Sequence, residues 1–276
     1  MPMLHTSGAD LHYLKEGRGP AVLLIHGMGV VSEFWRPQIE RLGDRYTVVA
    51  PDNRGLGHSS INDGTLTIEA MARDALAILD AEGIERVHVV GHSMGGVIAQ
   101  AVALEARSRV VTLALLCTIS RGRDAWPSLP LLWQALRTRI GTRRMCRDAY
   151  LDLAFSQAFL DRTGREDAAA LLARLFGRQI NRQPPIVIRQ AGALLRYDAR
   201  NRLPSLAGLP TLVISTAGDR LLSPARGRAL AGMIPGARYV EIADAGHALP
   251  IERADEVTGL LAAHFESAES GGAFTQ

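Results

Sequence analysis

Between residues 87 and 96 the chain reads V-H-V-V-G-H-S-M-G-G, and a helical pattern from Val97 to Leu104 starts at once. A β-branched run that ends in G-x-S-x-G and passes straight into a helix leaves the backbone few options. It reads as a buried strand that turns sharply into a helix, with Ser93 at the corner. A residue on such a turn sits in a strained conformation with neighbouring chain pressed close. Gly91 and Gly95 remove the side chains that would clash there. The following helix points its free N–H groups and the positive end of its dipole at the same corner, where an oxyanion would develop. Ser93 is therefore read as a nucleophile on an elbow rather than an incidental serine in a glycine-rich turn.

The rest of the chain supplies a setting for that corner. Largely apolar, strand-like runs lie at 21–25, 46–50, 110–116 and 211–215, with a further strand at 238–242 and a first edge strand at 11–15. Continuous apolar runs of this kind belong to strands covered on both faces of a parallel sheet. Helical spacing falls between them at 33–43, 67–83 (Thr67 as N-cap, Gly83 at the end), from the elbow to about Arg107, at 223–233 and at 252–266. Residues 120–200 contain no convincing buried strand. They show helical stretches at 129–140, 145–160, 166–180 and near 186–197, the last after a Pro184-Pro185 break. The expected fold is α/β: a mostly parallel central sheet with helices on both faces and an inserted helical cap. The expected division is 1–119 and 201–267 for the α/β core, 120–200 for the cap and 268–276 for a disordered tail.

Composition narrows the class. The 276 residues are 47% hydrophobic and 21% charged, ordinary for a globular enzyme with a substantial core. The formal net charge is +3, with Lys15 the only lysine. The arginines are spread along the chain, which argues against nucleic acid as a partner. Cys117 and Cys146, the only cysteines, have no metal-type spacing and read as reduced thiols. The start lacks the basic and apolar stretches of a signal peptide, and no apolar run approaches the ~20 residues that cross a bilayer. The expectation is a cytoplasmic protein with no membrane partner.

A serine hydroxyl needs a base, and the base needs an orienting acid. If the order is Ser…Asp…His, only His247 and His264 lie far enough downstream. His264 falls inside a helix among apolar neighbours. His247 lies in a loop just after a strand, where a side chain can reach across the sheet edge, and it is the expected base. The acid should leave the carboxyl end of the preceding strand, which selects Asp219; Asp124, after the strand ending near Thr118, is the rival. Two N–H donors for the oxyanion are expected from Met94 and from Met28, in a loop shaped by His26 and Gly29.

At this point the motifs H-G-M-G at 26–29, D-x-R-G-x-G-x-S at 52–59, G-H-S-M-G-G at 91–96, Gly218-Asp219 and Gly246-His247 resemble, in order, those of the α/β-hydrolase superfamily. The resemblance covers 11–119 and 205–266, while 120–200 matches only as a generic helical cap. The chain looks most like bacterial esterases and 3-oxoadipate enol-lactonase-like hydrolases. Serine at the elbow disfavours the dehalogenase and epoxide hydrolase branches. The resemblance implies cleavage of a small or medium apolar ester or (enol-)lactone through an acyl-enzyme. The same triad also serves C–C bond hydrolases, perhydrolases and biosynthetic thioesterases or cyclases, and a small-molecule receptor can retain it.

The remaining signals read more plainly. His88 and His92 lie on a strand, not at helical metal spacing, and no nucleotide fingerprint exists, so no metal and no cofactor are expected. His92 reads as packing, and Arg54 as scaffold. Trp126, Trp133, Phe155, Phe159 and Phe176 read first as cap core. Some must face the cleft if the cap closes over it, so Val30, Trp126, Trp133, Phe155, Phe159, Leu221 and Leu249 are the candidate substrate wall. Arg137, Arg139, Arg143, Arg144 and Arg147 read as a solvated helix face; the sharper alternative is a docking surface for an acidic carrier protein or an anionic substrate.

Overall fold

The computed structural model describes residues 2–125, 133–134, 136–177, 180 and 184–271. In chain order its elements are β1 (Met3–His5), β2 (Asp10–Gly17), β3 (Ala21–Ile25), α1 (Arg36–Leu42), β4 (Thr47–Pro51), α2 (Ile68–Ala81), β5 (Val87–His92), α3 (Met94–Glu105) and β6 (Val110–Leu116). Then follow α4 (Arg143–Ala154), α5 (Gln157–Thr163), α6 (Arg165–Phe176), α7 (Ile186–Arg196), β7 (Thr211–Thr216), α8 (Pro224–Met233), β8 (Arg238–Ile242), α9 (Leu249–Glu252) and α10 (Ala254–Gly271).

The eight strands form one sheet in the order β1-β2-β4-β3-β5-β6-β7-β8. β1 and β2 pair antiparallel, as do β2 and β4; every pairing from β4 through β8 is parallel. Side chains alternate across the pleat. Leu23, Ile25, Val89, Leu113, Leu115 and Val213 join α2, α3 and α8 in a core on one face. Val22, Leu24, Val90, Ala114, Leu116 and Ile214 join α1 and α10 in a core on the other. Burial on both sides is why these strands read as unbroken apolar runs.

The chain passes from β3 to β4 on one side and then returns to place β5 on the other side of β3. Loops leaving β3 and β5 diverge at such a reversal and open a crevice at the carboxyl ends of the strands. The crevice holds the turn after β3 and the corner after β5. The helices α4–α7 lie between β6 and β7 in sequence, and Leu151, Phe155, Leu160 and Leu172 continue the second core.

Several expectations need correction. The edge strand runs over Asp10–Gly17 rather than 11–15 and has a partner, β1, whose three residues are too few to show a pattern. The helix expected at 145–160 is two helices, because Ser156 accepts from the Phe159 N–H and starts α5 afresh. Residues 268–271 are not tail but the last turn of α10, where Glu269 lies 3.1 Å from the buried His88 ring and anchors it. Among the described residues no helix is long and apolar enough to cross a membrane.

Candidate active site

Ser93 joins β5 to α3 with φ 57° and ψ −123°. A non-glycine residue held there is strained and must be over-determined by its surroundings. The Ser93 N–H donates to Leu116 O at 2.9 Å, and its carbonyl accepts from Thr118 Oγ1 at 2.7 Å. The flanking glycines make the turn possible: a Cβ on Gly91 would lie 2.3 Å from Gly95 O, and one on Gly95 would lie 2.1 Å from Ile25 O.

The loops after β7 and β8 bring two more side chains to this corner. His247 Nε2 lies 3.0 Å from Ser93 Oγ, and His247 Nδ1 lies 2.7 Å from Asp219 Oδ2. The other carboxylate oxygen of Asp219 accepts the N–H groups of Leu221 and Leu222, each at 2.8 Å. Both Asp219 and His247 are buried. Asp124 is engaged elsewhere, 2.6 Å from Arg121. His264 is a half-buried residue of α10, 3.3 Å from Leu113 O, where desolvation pushes its pKa down to about 4.

A cavity of about 230 Å³ opens onto Ser93 and His247, with Met28 on its wall. Met94 is the first residue of α3, so its N–H has no carbonyl one turn earlier in the helix to bond. The turn after β3 presses on the corner: a Cβ on Gly27 would lie 3.0 Å from Ser93 Cβ. The arrangement offers a hydroxyl, an imidazole poised to take its proton, a carboxylate behind the imidazole, and main-chain donors alongside.

Residues 20–254 match the alpha/beta hydrolase fold family. The chain belongs to that family. RutD of Azorhizobium caulinodans, a protein named for carbamate hydrolysis, is 32% identical over 263 residues, covering 95% of this chain and 97% of the relative. The enol-lactonase of Burkholderia xenovorans LB400 superposes with a TM-score of 0.80 at 30% identity, over 96% of this chain and 100% of that one. A thermophilic esterase from Thermogutta terrifontis does so with a TM-score of 0.79 at 27% identity, over 97% and 99%. With these relatives the chain is a hydrolase of the α/β-hydrolase superfamily.

The wall of this α/β hydrolase's cavity differs from the sequence expectation. Val30 and Leu221 line it. Phe155 is instead fully buried, with its ring stacked on Phe159 at 4.5 Å, and Leu249 is fully buried in the same core. Trp133 is exposed to 63% and belongs to neither core. Trp126 lies outside the described residues. Phe34, Leu172 and Phe176 take the places expected of these side chains. An apolar residue on a helix gives no sign in sequence of whether a core or a cavity receives it.

Three supports carried no sequence signal. His92 donates from Nε2 to His247 O at 2.7 Å while its ring stacks on Phe34. Glu252 accepts from the N–H groups of Gly246 at 2.9 Å and Ser156 at 3.1 Å, and from the Ser156 hydroxyl. Gln190 on α7 accepts the Gly29 N–H at 3.0 Å, which ties that helix to the turn after β3. Arg54 is a scaffold residue, buried and paired with Asp74 at 2.6 Å.

Nitrogen and sulfur atoms of His92, Cys117 and His247 lie within 4.8 Å of one another. They fit a metal poorly. His92 and His247 are committed to the bonds above, and burial pushes the Cys117 thiol well up, away from the thiolate a metal needs. Both cysteines are free and buried.

Proposed function

We propose that this protein is a cofactor-independent serine hydrolase that cleaves a small or medium carboxylic ester or (enol-)lactone. The observation that carries the reading is the chain Ser93 Oγ, His247 Nε2, His247 Nδ1, Asp219 Oδ2, with spacings of 3.0 and 2.7 Å. In this reading His247 takes the Ser93 proton as the hydroxyl oxygen attacks the carbonyl. The N–H groups of Met28 and Met94 hold the oxyanion, each contributing about 2.7–4 kcal/mol to the lowering of the barrier. Asp219 orients the imidazole and stabilises its cation. His247 returns the proton to the leaving oxygen, the acyl group stays on Ser93, and a water activated by the same histidine releases it. The helices α4–α7 serve as the cap that narrows access to Ser93. The largely apolar wall favours an apolar body in the substrate.

The likeness to RutD supports a second reading, a carbamate as substrate. The same hydroxyl would attack the carbamate carbonyl. Mass spectrometry after treatment with a fluorophosphonate locates the nucleophile, with the adduct expected on Ser93. A panel of p-nitrophenyl acyl esters, enol-lactones and carbamates then separates the two readings. An adduct elsewhere, or turnover of none of the three classes, overturns the proposal.

A further inference from the structure

The cap reaches the cavity of Ser93 through Arg139, Tyr150, Leu172 and, from α7, Val187. α7 is also packed on the body of the protein. Its Ala193 and Leu194 belong to the first core, and a Cβ on Gly122 would lie 1.6 Å from Leu194 O. On the same helix stands Gln190, fully buried.

The Gln190 amide is half used among the described residues. Oε1 accepts the Gly29 N–H at 3.0 Å, while Nε2 is buried with no acceptor. Turned over, the amide would set its NH2 against the Gly29 N–H, donor against donor, so the orphan is forced. A buried donor without a partner costs stability, and a methionine of similar length would avoid that cost. What the amide adds is the acceptor for Gly29.

Gly29 follows Met28, whose N–H is an oxyanion donor in the reading above. Glycines flank Met28 on both sides, and Gly29 takes φ 73°, so the peptide planes around Met28 turn easily unless they are held. The plane before Met28 is held from within the core: the buried His26 has Nδ1 2.9 Å from Gly27 O, and its Nε2 accepts the Asn53 N–H at 3.3 Å. The plane after Met28 is held by Gln190, from a cap helix 161 positions further along the chain.

We propose that Gln190 is a positioning residue for the hydrolytic reaction. Through Gly29 it fixes the Met28 N–H toward the oxyanion, so the oxyanion hole is complete only with α7 in place. The inference rests on the hydrolase reading above and gives the cap a part in the chemistry as well as in access.

The test compares the wild type, Gln190→Met and Gln190→Glu, with p-nitrophenyl butyrate as substrate and butylboronic acid as inhibitor. The Ser93 oxygen adds to boron while its proton passes to His247, and the tetrahedral boronate sets a hydroxyl where the oxyanion would form. In Gln190→Met, which removes the acceptor, kcat should fall about tenfold with KM little changed, and the boronate Ki should rise by a similar factor. Gln190→Glu, which keeps an acceptor at the same reach, should recover part of both. An amide that served the fold alone would lower Tm and leave the boronate Ki unmoved. A Ki within about twofold of the wild type in Gln190→Met therefore overturns the proposal, whatever Tm does. Gln190→Ala carries the same comparison if the methionine variant does not fold. Wild-type protein that neither hydrolyses the ester nor binds the boronate sinks the hydrolase reading and this proposal with it; an active wild type with an unmoved Ki in the variant sinks this proposal alone.

Discussion

His92 Nε2 lies 2.7 Å from the main-chain carbonyl of His247, and the two rings sit 4.9 Å apart. A carbonyl can only accept, so the His92 hydrogen sits on Nε2. Burial pulls the His92 pKa well below the ordinary 6.5, which keeps the ring neutral. His247 is thus held at its carbonyl by His92 as well as at its ring by Asp219. His92→Phe should keep the packing against Phe34 and lose the donor. Stranding a buried carbonyl costs about 1–3 kcal/mol. We expect kcat to drop about tenfold with KM little changed, and His92→Gln to recover part of the loss. Unaltered kcat in His92→Phe would make the contact mere packing.

Ser93→Ala should lower kcat by ~10⁴–10⁶, and Asp219→Asn by ~10⁴, because residues that act as a unit fail together. Steady-state turnover of a p-nitrophenyl ester by purified variants checks this. Activity above about a tenth of wild type in Ser93→Ala would require another nucleophile.

Glu252 clamps the His247 loop to the start of α5 through Gly246 and Ser156. Gly246 is pressed so closely that a Cβ would lie 2.5 Å from Ser156 N and 2.6 Å from Phe155 C. Glu252→Gln keeps the shape but turns one acceptor into a donor that faces donors. A loss of about 2–3 kcal/mol is expected, which lowers Tm by several degrees. Differential scanning calorimetry measures it; an unchanged Tm would show the clamp to be dispensable.

Stability should fall with acid before the carboxylates titrate. Burial pulls His26 and His92 below the ordinary 6.5, and His88 and His264 down to about 4. Each stays neutral in the fold while the unfolded chain takes a proton near 6.5, so acid favours unfolding. The stability they share is complete above about 6.5 and drains as the pH falls towards about 4. The slope is at most about 1.4 kcal/mol per pH unit for each such proton. Tm measured from pH 8 to pH 5 should be level and then decline; a rising Tm below 6.5 would contradict the burial of these rings.

The strands covered on both faces announced themselves, because only a doubly buried strand can afford an unbroken apolar run. β1 did not, since three residues, two of them exposed, carry no pattern. The break at Ser156 was hidden for a related reason: apolar spacing continues through it, and only the hydroxyl's choice of Phe159 N–H restarts the helix. The end of α10 was hidden because its anchor, His88, lies 181 residues away.

Ser93, Asp219 and His247 were legible singly, because strand ends and glycine turns are local features that chain order arranges. The sequence by itself determined the elbow, the run of strands and the short list of side chains able to act at one sheet edge. The tertiary structure alone decided that His92 grips the His247 carbonyl, that Glu252 ties two loops, that Phe176 rather than Phe155 walls the cavity, and that Arg139 reaches it. These depend on contacts between segments far apart in the chain. The same residue type serves core, surface or site according to what packs against it, which local pattern does not encode.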